Sequence, residues 1–386
     1  MQKILIVMPI TTLDWGSKSS GGVDSVCQIL LNQLSKEKKK QFEYRVIAFN
    51  PHNDCPHEGE VLEISKNISV VQFNSNGKIF NGKYHTPGIL YQALKIREHL
   101  KLFEPDLIHT HLSPWTLAKT KKIPAITSLH GYKKICRKPQ SIFNNILHEK
   151  IIPALCEKVT DCYTCVSESL KKEVARDTSK EIHTIHNPID HKFFNAIKTP
   201  STKNEIRLVT CAVITRRKGI HHALELLKKI TDSGKKSSLK IIGPIADKAY
   251  FESIKEKITE LDLKENVLFM GSLSCTQIIE QYEQSDFGVF MSEEETFGLV
   301  PIEMISSGLR VITTKVGVIK DLEEHFLNDG YLCFADPSDF GGALNFVSTP
   351  LHEKKPKNKA LIAERFSAES IVRQYEEVYL KTLSAI

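Results

Sequence analysis

Short apolar runs of strand length alternate with helix-length amphipathic segments along nearly the whole chain, and the series runs through twice. The first series reads KILIVMP, YRVIAFN, SVVQFN, DLIHTH, AITSLH and CYTCVS; the second reads IRLVTCAV, LKIIG, NVLFMG, FGVFMS, RVITTK and GYLCF. This alternation predicts α/β domains, each a doubly wound parallel sheet with helices on both faces. At 386 residues the chain exceeds one ordinary core, which agrees with two domains in tandem. The polar stretch NAIKTPSTKNEI (195–206) carries one proline and reads as the linker. Ligands of such sheets sit beyond the carboxyl ends of the strands, so a substrate is expected in a central cleft that both domains face. The tail ERFSAESIVRQYEEVYLKTL (364–383) reads as a separate amphipathic helix with Ile371, Tyr375, Val378 and Tyr379 along one stripe.

The opening apolar run breaks at Pro9, too early for a membrane span or a signal segment, and no later stretch is long enough to cross a bilayer. A cytoplasmic location is expected. The nine cysteines show no disulfide framework, and the CxxC of Cys162 and Cys165 lacks a second ligand pair, so both read as small buried strand residues. Charge is uneven. Residues 1–195 hold 27 Lys+Arg against 19 Asp+Glu, while the remainder holds 25 against 27. The clusters KEKKK (36–40), KTKK (119–122) and KKICRK (133–138) read either as solvated surface or as a face toward an anionic partner, a lipid headgroup or a phosphate-bearing substrate. Nucleic acid is not expected, because no aromatic-interleaved basic motif occurs.

Candidate chemistry gathers at strand ends. Gly21–Gly22 precede a helix, where bare backbone amides could approach an anion or simply form a flexible helix start. His109 and His111 share one side of an extended segment, a metal-compatible placement, but no carboxylate or third histidine at metal spacing joins them. His130, followed by Gly131, is better placed to touch a substrate. Arg216, Arg217 and Lys218 sit in a loop before a helix with Gly219 at the turn, a cradle for a diphosphate or a basic surface loop. The strongest signal is SEEETFGLVPIEM (292–304). Glu295 lies in its loop and Glu303 on the following short helix, with the amides around Phe297, Gly298 and Leu299 between them. An anion between two carboxylates that accept hydroxyl hydrogen bonds describes a nucleotide sugar; Glu293 and Glu294 read as bystanders favoured by the helix dipole.

Assembled, these segments resemble the retaining glycosyltransferases of family 4, with the GT-B fold. The most specific part is the E-x7-E signature from Glu295 to Glu303, supported in order by GGV (21–23), PDLIHTH (105–111), SLHGY (128–132), VSESLKKEV (166–174), IHNPID (185–190), RRKGI (216–220) and NVLFMGSL (266–273). The resemblance implies two Rossmann-like domains, 1–195 for the acceptor and 206–363 for the nucleotide sugar, with a C-terminal helix (364–386) that crosses back to the first. It implies that Glu303 binds the ribose, that Glu295 and His130 touch the transferred sugar, and that Lys218 neutralises the diphosphate. Phe297, Gly298 and Leu299 would offer amides, and Gly22 would approach the diphosphate from the first domain. It implies no required metal or cofactor beyond the UDP- or GDP-sugar substrate. The family usually carries an arginine five or six residues before the Lys–Gly pair; here Val213 and Ala212 stand there, with Arg216 or Arg217 as replacements.

The expected activity is transfer of a hexose, with retention, to a saccharide or lipid-linked acceptor in cell-envelope polysaccharide (lipopolysaccharide-type) synthesis. The enzyme would make peripheral contact with the inner face of an anionic membrane. Rival readings are a sugar phosphorylase or nucleotide-sugar epimerase of the same fold, and a non-catalytic nucleotide-sugar-binding protein.

Overall fold

The computed structural model describes residues 1–37, 41–79, 84–85, 88–120, 122–132, 142–197, 205–322, 330–350 and 359–385. The basic segment 133–138, most of 36–40 and the centre of the expected linker lie outside these residues. The chain forms two compact units, Met1–Pro188 with Ala368–Ile386, and Ile189–Ser367.

The first unit is built on β1 (Gln2–Pro9), β2 (Phe42–Asn50), β3 (Val61–Ser65), β4 (Ile68–Asn74), β7 (Leu107–Thr110), β8 (Ala125–Leu129), β9 (Cys162–Cys165) and β10 (Glu181–Thr184). A separate two-stranded pair joins β5 (Lys78–Ile79) to β6 (Tyr84–His85). The large sheet runs β10-β9-β8-β7-β1-β2-β4-β3, parallel except where β3 meets β4 antiparallel. Ile4, Leu5, Ile6 and Val7 are buried at its centre, as the uninterrupted apolar run of a strand covered on both faces requires. The apolar pattern does not predict β3 and β10, which occupy the two edges. Their side chains are largely exposed or half-buried, so neither needs a continuous apolar run.

The second unit is a six-stranded, all-parallel sheet of β11 (Ile206–Cys211), β12 (Ser237–Ile242), β13 (Val267–Gly271), β14 (Phe287–Phe290), β15 (Arg310–Thr313) and β16 (Leu332–Phe334). Its order, β13-β12-β11-β14-β15-β16, is the 3-2-1-4-5-6 arrangement of a doubly wound sheet. Winding reverses beside β11 here and beside β1 in the first unit. The carboxyl ends of β11 and β14, and of β1 and β7, are therefore where loops diverge and leave room for a ligand.

The tail is divided at Ser367. Residues Lys359–Phe366 form a helix of the second unit, where the Phe366 ring lies 6.0 Å from that of Phe297. The Ala368–Ser384 helix belongs to the first unit and buries Ile371, Tyr375, Val378 and Tyr379, the stripe read from its periodicity, together with Val372. Tyr44 clamps it by donating to Glu376 Oε1 at 2.6 Å. Cys162 and Cys165 are buried and unlinked, and burial pushes both thiols up to about 12, unsuited to redox exchange at neutral pH. Among the described residues no helix is long and apolar enough to cross a membrane.

Candidate functional site

In the second unit, the polypeptide leaves β11 into a single 3-10 turn, Arg216–Lys218, and enters the Ile220–Asp232 helix through Gly219. Gly219 has φ 63°, and a Cβ there would lie 1.9 Å from the Met291 carbonyl oxygen, so no side chain fits. That close approach lets the loop after β11 lie against the loop after β14. Glu293 N–H donates to the Arg217 carbonyl at 2.9 Å, Arg217 Nη1 donates to the Glu294 carbonyl at 3.0 Å, and Ser292 Oγ bonds the Arg217 carbonyl at 3.2 Å. Thr314 Oγ1 holds the same strand end from β15 through the Ser292 carbonyl, at 2.5 Å.

The knitted loops bring Lys218 and Glu295 into an ion pair, with side chains 16% and 10% exposed. Lys218 Nζ also lies 5.6 Å from the centre of the Phe290 ring. A largely dehydrated pair of this kind interacts more strongly than a surface pair and leaves a costly lone charge if one partner is lost. Phe297 is buried, and its carbonyl accepts from Val318 N–H at 2.7 Å, so the ring anchors the loop. Gly298 follows at φ 79° and starts the Leu299–Ser306 helix with no side-chain cap. First-turn amides there have no intrahelical acceptor. Glu303, further along this helix, is half-buried; burial first, and Asp190 second, raise its carboxyl to about 7. Among the described residues it has no cationic partner. Arg217 is engaged by the Glu294 carbonyl, Arg216 and Val213 are exposed, and Ala212 is half-buried.

In the first unit, Gly21 (φ 149°) precedes the Gly22–Lys36 helix, again with no side-chain cap, and open space lies where its Cβ would be. The loop between β1 and this helix is stapled by Asp24, which the sequence reading missed. Asp24 accepts from Thr11 N–H (3.0 Å), Thr11 Oγ1 (2.5 Å), Ser20 N–H (2.6 Å) and Gln28 Nε2 (3.0 Å). Burial alone would raise its pKa, but these donors outweigh burial and hold it below the usual range. An acidic residue in the first helical turn after Gly-Gly was the available signal.

The three histidines meet at the ends of β7 and β8. His109 is buried, with Nδ1 2.7 Å from Tyr379 Oη and Nε2 2.7 Å from Ser128 Oγ. Both ring nitrogens are occupied, which removes it from any metal role. His111 Nδ1 lies 3.1 Å from His130 Nε2, and the rings stack at 5.4 Å. Burial lowers all three, His109 to about 3, His130 to about 4, and His111 well below the ordinary value, so each is neutral at pH 7. His111 and His130 line a cavity of about 830 Å3, with Val23, Gly131 and Tyr132. Among the described residues the fold also brings His221, His222 and Glu293 together, with one side-chain ligand atom from each within 4.8 Å of the others.

The two parallel α/β sheets are those of the GT-B fold. More narrowly, the chain belongs to glycosyltransferase family 4: the family described as "Glycosyl transferases group 1" matches residues 192–373, and "Glycosyltransferase Family 4" matches residues 20–193. A Bacillus anthracis relative, N-acetyl-alpha-D-glucosaminyl L-malate synthase, is 27% identical over 322 residues, 78% of this chain and 81% of its own. Among solved structures, sucrose-phosphate synthase from Thermosynechococcus elongatus shares the fold with a TM-score of 0.75 at 16% identity, over the whole of both chains. Anabaena Alr3699/HepE, solved in complex with UDP and glucose, does so at 0.71 and 17%, also over the whole of both chains.

Proposed function

We propose that this enzyme transfers a hexose from a UDP- or GDP-sugar to a saccharide or lipid-linked acceptor, with retention at the anomeric carbon, in cell-envelope polysaccharide synthesis. One observation carries the reading: the Lys218–Glu295 pair lies across the two loops of the β11/β14 switch point, beside an uncapped helix start, with Glu303 on that helix. In this reading Lys218 stabilises the departing diphosphate, and the amides from Phe297 to Leu299 help hold it. Glu303 grips the ribose hydroxyls, and Glu295 the hexose. Arg216 takes the place of the arginine absent at Ala212 and Val213. In the first unit, the uncapped helix start at Gly22 suits an anionic group, and neutral His130 suits a hydrogen bond with a sugar hydroxyl. The leaving phosphate oxygen accepts the acceptor's hydroxyl proton as the new glycosidic bond forms and the sugar–phosphate bond breaks. UDP and glucose bound to the Anabaena relative support the donor class. A lipid-linked acceptor is supported by the exposed apolar residues Ile142, Ile146, Ile151 and Leu155 on one helical segment of the first unit.

A thermal-shift screen of UDP- and GDP-hexoses, followed by NMR of the transferred sugar's anomeric proton, tests this. One donor family should raise the melting temperature, and the product should keep the donor's anomeric configuration. No stabilisation by either family, or an inverted product, would sink the reading. Conversion of the donor without acceptor would point to an epimerase instead.

A further inference from the structure

We infer that His221, His222 and Glu293 form a binding site for a borderline divalent transition-metal ion such as Zn2+ or Co2+. One ligand atom from each lies within 4.8 Å of the other two. The two imidazoles are consecutive in the first turn of the Ile220–Asp232 helix, with ring centres 3.9 Å apart. Glu293 reaches them from the loop after β14, which the Glu293 N–H bond to the Arg217 carbonyl holds in place. A tetrahedral zinc ion with bonds of about 2.1 Å sets its ligand atoms roughly 3.4 Å apart. The ligand atoms, at most 4.8 Å apart, therefore exceed that spacing by no more than about 1.4 Å, which is within the reach of side-chain rotation.

Two neighbours orient the ring nitrogens as metal sites do. His222 Nδ1 donates to Glu225 Oε2 at 3.0 Å, and Glu225 is itself held by Lys257 Nζ at 2.5 Å. A carboxylate accepts only, so this bond fixes the tautomer with the proton on Nδ1 and leaves the Nε2 lone pair for an ion. His221 Nδ1 lies 2.8 Å from Tyr250 Oη, which also accepts the His221 backbone N–H at 3.1 Å. A phenol donates as well as accepts, so this contact positions the His221 ring and fits either tautomer. His222 and Glu293 line a cavity of about 600 Å3, which supplies an entry route and room for a water or anion as fourth ligand. Two imidazoles and one carboxylate suit zinc or cobalt rather than magnesium or calcium, which prefer all-oxygen shells. A bound ion would tie the helix after Lys218 to the loop that carries Glu295. The site rests on this geometry and not on the transfer reaction.

The test uses the full-length protein, stripped with chelator, dialysed, and titrated with Co2+ by visible absorption and with Zn2+ by calorimetry. One equivalent should bind, with the intense visible bands of low-coordinate cobalt, and should raise the melting temperature, because the ion binds only the folded chain. His222→Ala and Glu293→Gln should abolish the bands. Glu225→Gln should weaken zinc about tenfold or more. His57→Ala, at an exposed histidine remote in sequence, should change nothing. Glu293 is an exposed loop residue, so Glu293→Gln keeps the test decisive if the histidine variant fails to fold. Unchanged stoichiometry and affinity in Glu293→Gln, or wild-type binding that His57→Ala reduces equally, would overturn the proposal.

Discussion

The two switch points of this chain share a sheet plan and differ in chemistry. Beside β11 and β14, a cation and a carboxylate pair on loops knitted by backbone hydrogen bonds, and a second carboxylate stands on the helix that follows. Beside β1, β7 and β8, three histidines gather, all neutral and joined to hydroxyls and to each other. Doubly wound sheets create the same vacancy in both, and the loop residues alone decide whether it is charged. A charged site suits a diphosphate donor. A neutral, hydrogen-bonding site suits the hydroxyls of a sugar.

The largest expected effect tests whether the charge in the second unit serves the donor. Lys218→Ala should reduce transfer by ~10²–10³, the usual cost of one transition-state charge stabiliser. The Lys218→Ala/Glu295→Gln double variant sharpens this. It removes the lone buried carboxylate, so stability should recover while transfer does not. If transfer recovers with stability, Lys218 acts only on Glu295.

Next is Glu303→Gln. Loss of charge-assisted bonds worth about 1.5–3 kcal/mol should raise the donor KM about 10- to 100-fold with little change in the acceptor KM. Ribose hydroxyls favour the ionised carboxylate, whose pKa in the free protein is about 7. Donor affinity should then fall about tenfold per pH unit below 7 and level off above it. Calorimetry in buffers of different ionisation enthalpy should detect proton release at pH 7. Binding that is flat with pH would place Glu303 away from the donor.

His130→Ala should cost less, about fivefold in turnover, the worth of one neutral hydrogen bond of about 1 kcal/mol. Since His130 stays neutral above about 4, the wild-type rate should show no inflection near 6.5 that this variant removes. Such an inflection would mean the first unit's site is charged after all.

The last effect is in stability and does not reach turnover, and here the two regions oppose each other. The histidines have folded values below their ordinary 6.5, so the unfolded chain binds more protons between about 4 and 6.5, and stability rises with pH through that window. Glu303 has a folded value above its ordinary 4.5, so its contribution declines as pH rises from about 4.5 to 7. His111→Phe should flatten the rise by up to about 1.4 kcal/mol per pH unit, and Glu303→Gln should steepen it, in denaturant melts across this range. Variants that shift the curve the same way would break the contrast.

Much of this was legible before any coordinates. Every strand with a continuous apolar run was readable, because burial on both faces forces that composition. The exposed edge strands β3 and β10 left no such mark. Glu295, Glu303 and Lys218 were legible because each stands next to a local signal, a strand end, a glycine turn or a helix start. The pairing of Lys218 with Glu295 was not, since it joins residues far apart in sequence through a Gly219–Met291 contact that no periodicity records. Asp24 was missed because its role depends on Thr11, brought back by the turn after β1. The His221–His222–Glu293 cluster was invisible for the same reason, and Glu293 had read as a bystander.

The sequence by itself determined two doubly wound sheets, the tail helix with its apolar stripe, and the strand ends where the candidate residues lie, because propensity, periodicity and turn residues are local properties of the chain. Only the tertiary structure decided the rest. It divided the tail between the two units at Ser367, made His109, His111 and His130 neutral, and left Glu303 without a cation among the described residues. Each of those outcomes depends on burial and on which distant groups lie nearby, and free energies of desolvation and charge pairing exist only once the chain has folded around them.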